Sequence, residues 1–325
     1  MKKYIAILLA AAMATLGISA RRKENSNKET KVQKDSDIKV VTTIFPEYDW
    51  VRQIAGEEAD QMDITMLLDN GVDLHSYQPT AEDIMKVSDC DLFVYVGGES
   101  DAWVDDALKQ AKNKDMQVVN LLDVLGNNAK EEEVIEGMEP EEEEEEPEYD
   151  EHVWLSVKNA EVLSKAIADA LEKADPDHKD IYQENASAYS EKLKDLDAKY
   201  QEVVDGASQK TLLFGDRFPF RYLVDDYGLS YYAAFVGCSA ESEASFDTIS
   251  FLANKVDELG LKDIMAIENS NQKIAKTIIE NTKEKNQKIL TLDTMQSTTS
   301  DDVKNGTTYL SVMEKNLEVL KEALQ

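Results

Sequence analysis

Apolar residues in this chain gather into short runs, separated by longer stretches with helical spacing. Lys39 to Phe45 is apolar and β-branched and reads as a buried first strand, closed by Pro46. Tyr48 to Ala55 then has helical spacing. Met62 to Leu67 is a second strand, Asp69-Asn70-Gly71 a turn, and Thr80 to Asp83 a capping box that opens a helix. Asp91 to Val96 is a third strand, Trp103 to Asn113 a helix, and Gln117 to Leu121 a fourth strand. Strands alternating with helices predict a parallel sheet wrapped by helices.

Glu131 to Asp150 breaks the pattern. It has no periodicity, two prolines, and six consecutive glutamates, Glu141 to Glu146, so it reads as a solvated loop. Ser156 caps the next helix, which runs to about Ala174. After Asp175-Pro176 no glycine or proline intervenes up to about Val204. Tyr182, Ala186, Tyr189, Leu193, Leu196, Tyr200 and Val203 form one stripe there. Roughly 28 residues at about 1.5 Å each span about 40 Å, enough to run along two lobes.

The second half repeats the first. Strands are predicted at Gln209–Phe214, Ser230–Phe235, Ile264–Glu268 and Lys288–Leu292. Helices are predicted at Phe220–Tyr227, Ser245–Gly260, Asn271–Lys285 and Tyr309–Leu324. The fold class is therefore α/β: two lobes, each a mainly parallel four-stranded sheet wrapped by helices, joined by one long linker helix. The boundaries are a signal peptide at 1–20, a flexible tether at 21–37, and an N-terminal lobe at 38–174 with the acidic loop at 130–151. The linker helix takes 175–206 and the C-terminal lobe 207–325.

Charge narrows the class of partner. With 66 Asp and Glu against 35 Lys and Arg, the formal net charge is −31 over 325 residues. That argues against nucleic acid, whose phosphates need basic residues, and favours cations. Met1 to Ala20 has the positive start, apolar stretch and small residues of an export signal, and places the mature chain outside the cytoplasmic membrane. A lipoprotein signal would continue with Cys, but Arg21 stands there, so the site reads as a lipobox without its acylated cysteine. The two cysteines, Cys90 and Cys238, are read as free, mostly buried thiols, the alternative being a bridge that would lock the lobes together; Cys238 as a soft metal ligand is a minor option.

Ligands of parallel sheets bind beyond the carboxyl ends of the strands. His75 stands after the second strand and His152 at the mouth of the acidic loop, two of only three histidines; His178, on the long helix, reads as exposed. Asp216 and Arg217 follow the strand ending at Phe214, Glu268 follows Ile267, and Asp293 follows Leu292. Two imidazoles with one or two carboxylates make a donor set for Zn(II) or Mn(II).

At these motifs the chain resembles the zinc- and manganese-binding solute receptors of ABC importers, the class with two lobes and a rigid linker helix. His75-Ser76-Tyr77-Gln78-Pro79 is similar to the family's first ligand loop, and Asp150-Glu151-His152-Val153-Trp154-Leu155-Ser156 to its second. The resemblance spans nearly all of 38–325. It implies His75 and His152 as ligands from the first lobe and Asp293, in Leu292-Asp293-Thr294, from the second. The third ligand is less direct. Phe220-Arg221-Tyr222 matches a family helix start, and strict spacing would put Arg217 at the ligand position. Arginine binds no cation, and a one-residue shift makes it Asp216. Glu268 would support a ligand or bind in its place, with Glu241 and Glu243 as further candidates on the surface.

The implied function is capture of Zn(II), with Mn(II) the competitor, by a non-enzymatic monomer that docks on a membrane permease driven by a cytoplasmic ATPase. No Walker motif stands in the chain, so the energy source is another subunit. The acidic residues Glu141, Glu142, Glu143, Glu144, Glu145, Glu146, Glu148, Asp150 and Glu151 are expected to collect the metal. Rival readings are a surface adhesin on the same fold and a secreted metallohydrolase. The hydrolase would need a general base, a role open to Glu268, but there is no His-Glu-x-x-His motif.

Overall fold

A computed structural model describes residues 38–139, 148–239 and 243–325. The export signal, the tether with Arg21, Glu141 to Glu146 and Glu241 lie outside the described residues.

The first lobe carries β1 (Lys39–Thr42), α1 (Phe45–Ala55), β2 (Asp63–Met66), α2 (Ala81–Asp89), β3 (Leu92–Tyr95), α3 (Val104–Lys109), β4 (Gln117–Asn120), α4 (Leu121–Leu125) and α5 (Val157–Ala174). After α6 (Lys179–Asp205) come β5 (Thr211–Phe218), α7 (Arg221–Tyr227), β6 (Ser230–Val236), α8 (Phe246–Leu259), β7 (Asp263–Ile267), α9 (Lys273–Asn281), β8 (Lys288–Leu292), α10 (Ser300–Lys304) and α11 (Tyr309–Ala323). Both sheets are four-stranded and parallel, in the orders β2-β1-β3-β4 and β6-β5-β7-β8. The expected α/β fold class, two such sheets wrapped by helices, is borne out.

The linker helix α6 has 27 residues. Its stripe, Tyr182, Tyr189, Leu193, Leu196, Tyr200 and Val204, is buried. Two groups tie its ends to different lobes. Asn185 Nδ2 donates to the Ile54 carbonyl at the end of α1, at 3.0 Å. Tyr200 Oη donates to the Met313 carbonyl in α11, at 2.7 Å. One apolar core runs unbroken from the first sheet through α5 and α6 into the second; a smaller one lies between β5, β6 and β7 and α8 and α9. Trp154, fully buried, joins the lobes: its Nε1 donates to the Thr294 carbonyl, and its own carbonyl accepts from Tyr309 Oη. Burying aromatic rings with their polar tips satisfied makes this seam both apolar and directional.

The structure departs from the sequence pattern in several places: the first strand ends at Thr42, with Phe45 and Pro46 already in α1, and the helix expected over Trp103–Asn113 is only Val104–Lys109. The strand expected to end at Phe214 continues to Phe218 through an irregularity between Phe214 and Arg217, so Asp216 and Arg217 lie within β5 and not on a loop after it. The helix expected over Asn271–Lys285 is only Lys273–Asn281: Thr282 hydrogen-bonds back to Ile279, and Lys285 takes a positive φ of 52°. The acidic segment is not solvated throughout. Its ends pair antiparallel at Glu131 and Tyr149, and Asp150 N donates to the Lys130 carbonyl at 2.8 Å. Its first limb crosses to the second lobe, where Glu139 N donates to the Ala234 carbonyl of β6 at 2.9 Å.

Candidate metal centre

His75 lies in a short turn after β2. Asp73 caps that turn, its Oδ1 accepting from His75 N at 3.1 Å. His152 follows the acidic segment and opens the turn that leads into α5. Its backbone N and its ring Nδ1 both donate to one oxygen, Asp150 Oδ1, at 2.8 and 3.0 Å. The two loops set the imidazoles against each other: His75 Nε2 and His152 Nε2 are 3.1 Å apart.

The hydrogen-bond partners fix what those facing nitrogens can do. With its Nδ1 proton directed to Asp150, His152 keeps a bare lone pair on Nε2. The Gln296 amide Nε2, 3.3 Å away, can only donate to it. His75 Nδ1 meets Ser100 Oγ at 3.0 Å and Glu151 Oε2 at 3.4 Å; the tautomer with its proton on Nδ1, toward the carboxylate, frees Nε2 for a metal as well. A carboxylate behind each imidazole is the arrangement that orients histidines for a metal and raises their basicity.

The electrostatics agree. His152 is fully buried, and burial holds its pKa well below the ordinary value, helped by the His75 and Arg217 charges, so it stays neutral. Burial pushes the Asp150 carboxyl up to about 7, against the pull of the His152 amide. For Glu151 burial acts upward too, but His75 and Ser100 outweigh it and hold its pKa below the ordinary range.

A sulphur completes the group. Cys238 stands in the turn after β6, and its Sγ lies with one ring nitrogen of each histidine so that all three atoms fall within 4.8 Å of one another. Among the described residues this is the one such group of His, Cys, Asp and Glu atoms. The turn presses onto the imidazole: a Cβ on Gly237 would stand 3.1 Å from His152 Nδ1 and 3.0 Å from the Phe218 carbonyl, tight enough that its neighbours would have to give way.

The four residues expected as ligands therefore divide. His75 and His152 come together. Asp216 and Asp293 are not part of the group. Neighbouring strand residues face opposite sides. Arg217 reaches across the lobes to Asp73, while Asp216 turns toward β7, its Oδ2 3.5 Å from the Ile267 amide. Asp293 accepts from the Met295 amide at 2.8 Å. Glu268 accepts from both the amide and the hydroxyl of Thr294, and burial followed by the Asp293 charge raises its pKa. Asp150 and Glu151, expected in the metal-collecting loop, are each 2% exposed and stand behind the histidines; Glu148 is half-buried and Glu243 exposed. Gln296, Ser100 and Asp73 were not singled out, although Gln296 follows β8 and Ser100 follows β3, at the strand ends where ligands gather.

Known proteins share this architecture. The chain is 35% identical over 324 residues to the zinc-binding lipoprotein AdcA of Streptococcus pneumoniae R6, covering 98% of this chain but 61% of that protein. It thus spans about three fifths of that relative. It is 31% identical to the high-affinity zinc uptake system protein ZnuA of Bacillus subtilis 168, covering 99% of this chain and 98% of that one. The crystal structure of the Zn(II)-bound ZnuA-like domain of S. pneumoniae AdcA superposes with a TM-score of 0.69 at 31% identity, over 89% of this chain and 99% of that one. Residues 40–323 match the model of the ZnuA family, zinc-uptake complex component A periplasmic, and the chain belongs to that family.

Proposed function

We propose that this protein is an extracytoplasmic receptor that captures Zn(II) between its lobes and hands it to the permease of an ABC importer. His75 and His152 are the ligands of the first lobe. The observation that carries the reading is the pair of facing Nε2 atoms 3.1 Å apart, each imidazole backed by a carboxylate. Tetrahedral zinc with Zn–N bonds of about 2.0–2.1 Å needs nitrogens about 3.3 Å apart, so little movement is required. Zinc as cargo is also in keeping with the names of the relatives. The acidic residues 141–146, together with Glu148, collect cations weakly, and the ATPase that drives transport is a separate subunit.

Calorimetric titration of the metal-stripped protein with Zn(II) tests this. One tight site is expected in the parent, lost in both His75→Ala and His152→Ala. Multiple weak binding that survives both changes would refute the receptor reading, because the acidic residues alone would then account for it.

A further inference from the structure

We infer that Cys238 supplies the third metal ligand, making a His2Cys donor set that selects zinc over manganese. The inference rests on the receptor reading and deepens it: it names the ligand of the second lobe and the class of ion. Ligand histidines alone would leave the metal on one lobe. The second lobe brings the Cys238 sulphur within 4.8 Å of one ring nitrogen of each histidine.

The fit is quantitative. Zn–N bonds of about 2.0–2.1 Å and a Zn–S bond of about 2.3 Å at tetrahedral angles put nitrogen and sulphur about 3.6 Å apart. From one nitrogen of each ring the sulphur has at most about 1.2 Å to close. Three protein donors leave a fourth position, by which the ion can enter and leave.

The surroundings hold the sulphur in place. Cys238 N donates to Glu132 Oε1 of the acidic segment at 2.9 Å. The Glu151 amide faces the sulphur. Arg217 binds the Ser239 carbonyl with Nη1 at 3.4 Å and Asp73 with Nη2. One guanidinium thus straps the cysteine turn of the second lobe to the histidine turn of the first. Gly237 removes the side chain that would otherwise hold the turn away from His152. Cys90 has no such setting: it is buried in the first lobe against the Val87 carbonyl and Met116.

The chemistry separates ions. On binding, the thiol loses its proton to solvent and its sulphur lone pair forms the bond to the metal. Thiolate favours Zn(II) and Cd(II), whereas Mn(II) prefers carboxylate and water. A carboxylate at this position would have made a harder site.

The test reads the sulphur directly. X-ray absorption at the zinc edge of the loaded full chain is expected to show one sulphur at about 2.3 Å. With one equivalent of Co(II), the parent should show a sulphur-to-cobalt charge-transfer band. That band should persist in Cys90→Ser and vanish in Cys238→Ser. Cys238→Ser should weaken Zn(II) binding by at least the roughly 10–100-fold that loss of a supporting partner brings. Cys238→Asp should lower the preference for Zn(II) over Mn(II). Tight zinc binding with no sulphur scatterer and no band would overturn this inference and leave the receptor reading intact. No tight binding in the parent would overturn both.

Discussion

Asp150 gives a direct measure of how far the metal site depends on what stands behind the imidazole. Its carboxyl is 2% exposed, and one oxygen takes both the backbone N–H and the Nδ1–H of His152. Asp150→Ala frees the ring to rotate and to move its proton to Nε2, the atom that must be bare. Loss of such a partner weakens metal binding about 10–100-fold, or about 1.4–2.7 kcal/mol. Asp150→Asn keeps an acceptor oxygen that can serve both donors, so its affinity should fall between parent and Ala. Stability should not follow affinity. Burial lifts the Asp150 pKa from 3.8 to about 7, so this group's contribution is present below about 4 and lost as pH rises through about 7. At pH 8 the buried charge disfavours the fold by about 4 kcal/mol, which offsets the two hydrogen bonds removed with it. Zinc titration and urea unfolding of the metal-free protein, both at pH 8, check this. Parent-like zinc affinity in Asp150→Ala would refute the tautomer argument. An equal loss of stability and affinity would mean that the variant merely unfolds the site.

Two further outcomes test the joint between the lobes. Arg217→Met and Asp73→Asn should each destabilise the metal-free protein and show a coupling of about 1–3 kcal/mol in a double-mutant cycle by denaturant unfolding, because the pair is a partly buried, charge-assisted hydrogen bond; strict additivity would show that the strap is not formed in solution. Asp49, buried in α1 with Oδ2 accepting from the Tyr309 amide, is raised by burial from 3.8 to about 6. Its stabilising contribution, about 3 kcal/mol, is present below pH 4 and lost by about pH 6, so Asp49→Asn should flatten that part of the stability profile, read as unfolding midpoint against pH.

The fold was legible because parallel strands buried on both faces leave continuous apolar or β-branched runs, such as Val40-Val41-Thr42 and Ile264-Met265-Ala266, while the linker helix leaves an uninterrupted stripe. Family membership was legible for a similar reason: the loops carrying His75 and His152 keep their local motif. What was not legible depended on contacts far apart in sequence. No Gly or Pro marks the end of α9, since it is set by Thr282 folding back and by the conformation of Lys285. The extension of β5 changes which way Asp216 and Arg217 point, and a strand that passes an irregularity cannot be phased from spacing alone.

The third donor shows most clearly where sequence reasoning stops. Strict alignment to the family motif that the chain resembles implies Arg217 as the ligand position, and a one-residue shift implies the carboxylate of Asp216. In the fold Arg217 is not misplaced: it binds Asp73, two residues before His75, and the carbonyl of Ser239, one residue after Cys238. An arginine there draws together the two turns whose residues face the metal position. Cys238 follows β6 as Gln296 follows β8, at the carboxyl ends of strands in the second sheet, and the strand-end rule applies to both equally. The rule could not rank them, because the 4.8 Å grouping comes from the close approach of the turn at Gly237 to His152, a contact far apart in sequence. A glycine directly before a cysteine at a strand end is thus a sequence signal with a physical reason: it marks a turn that must approach another group closely enough for the next side chain to reach it.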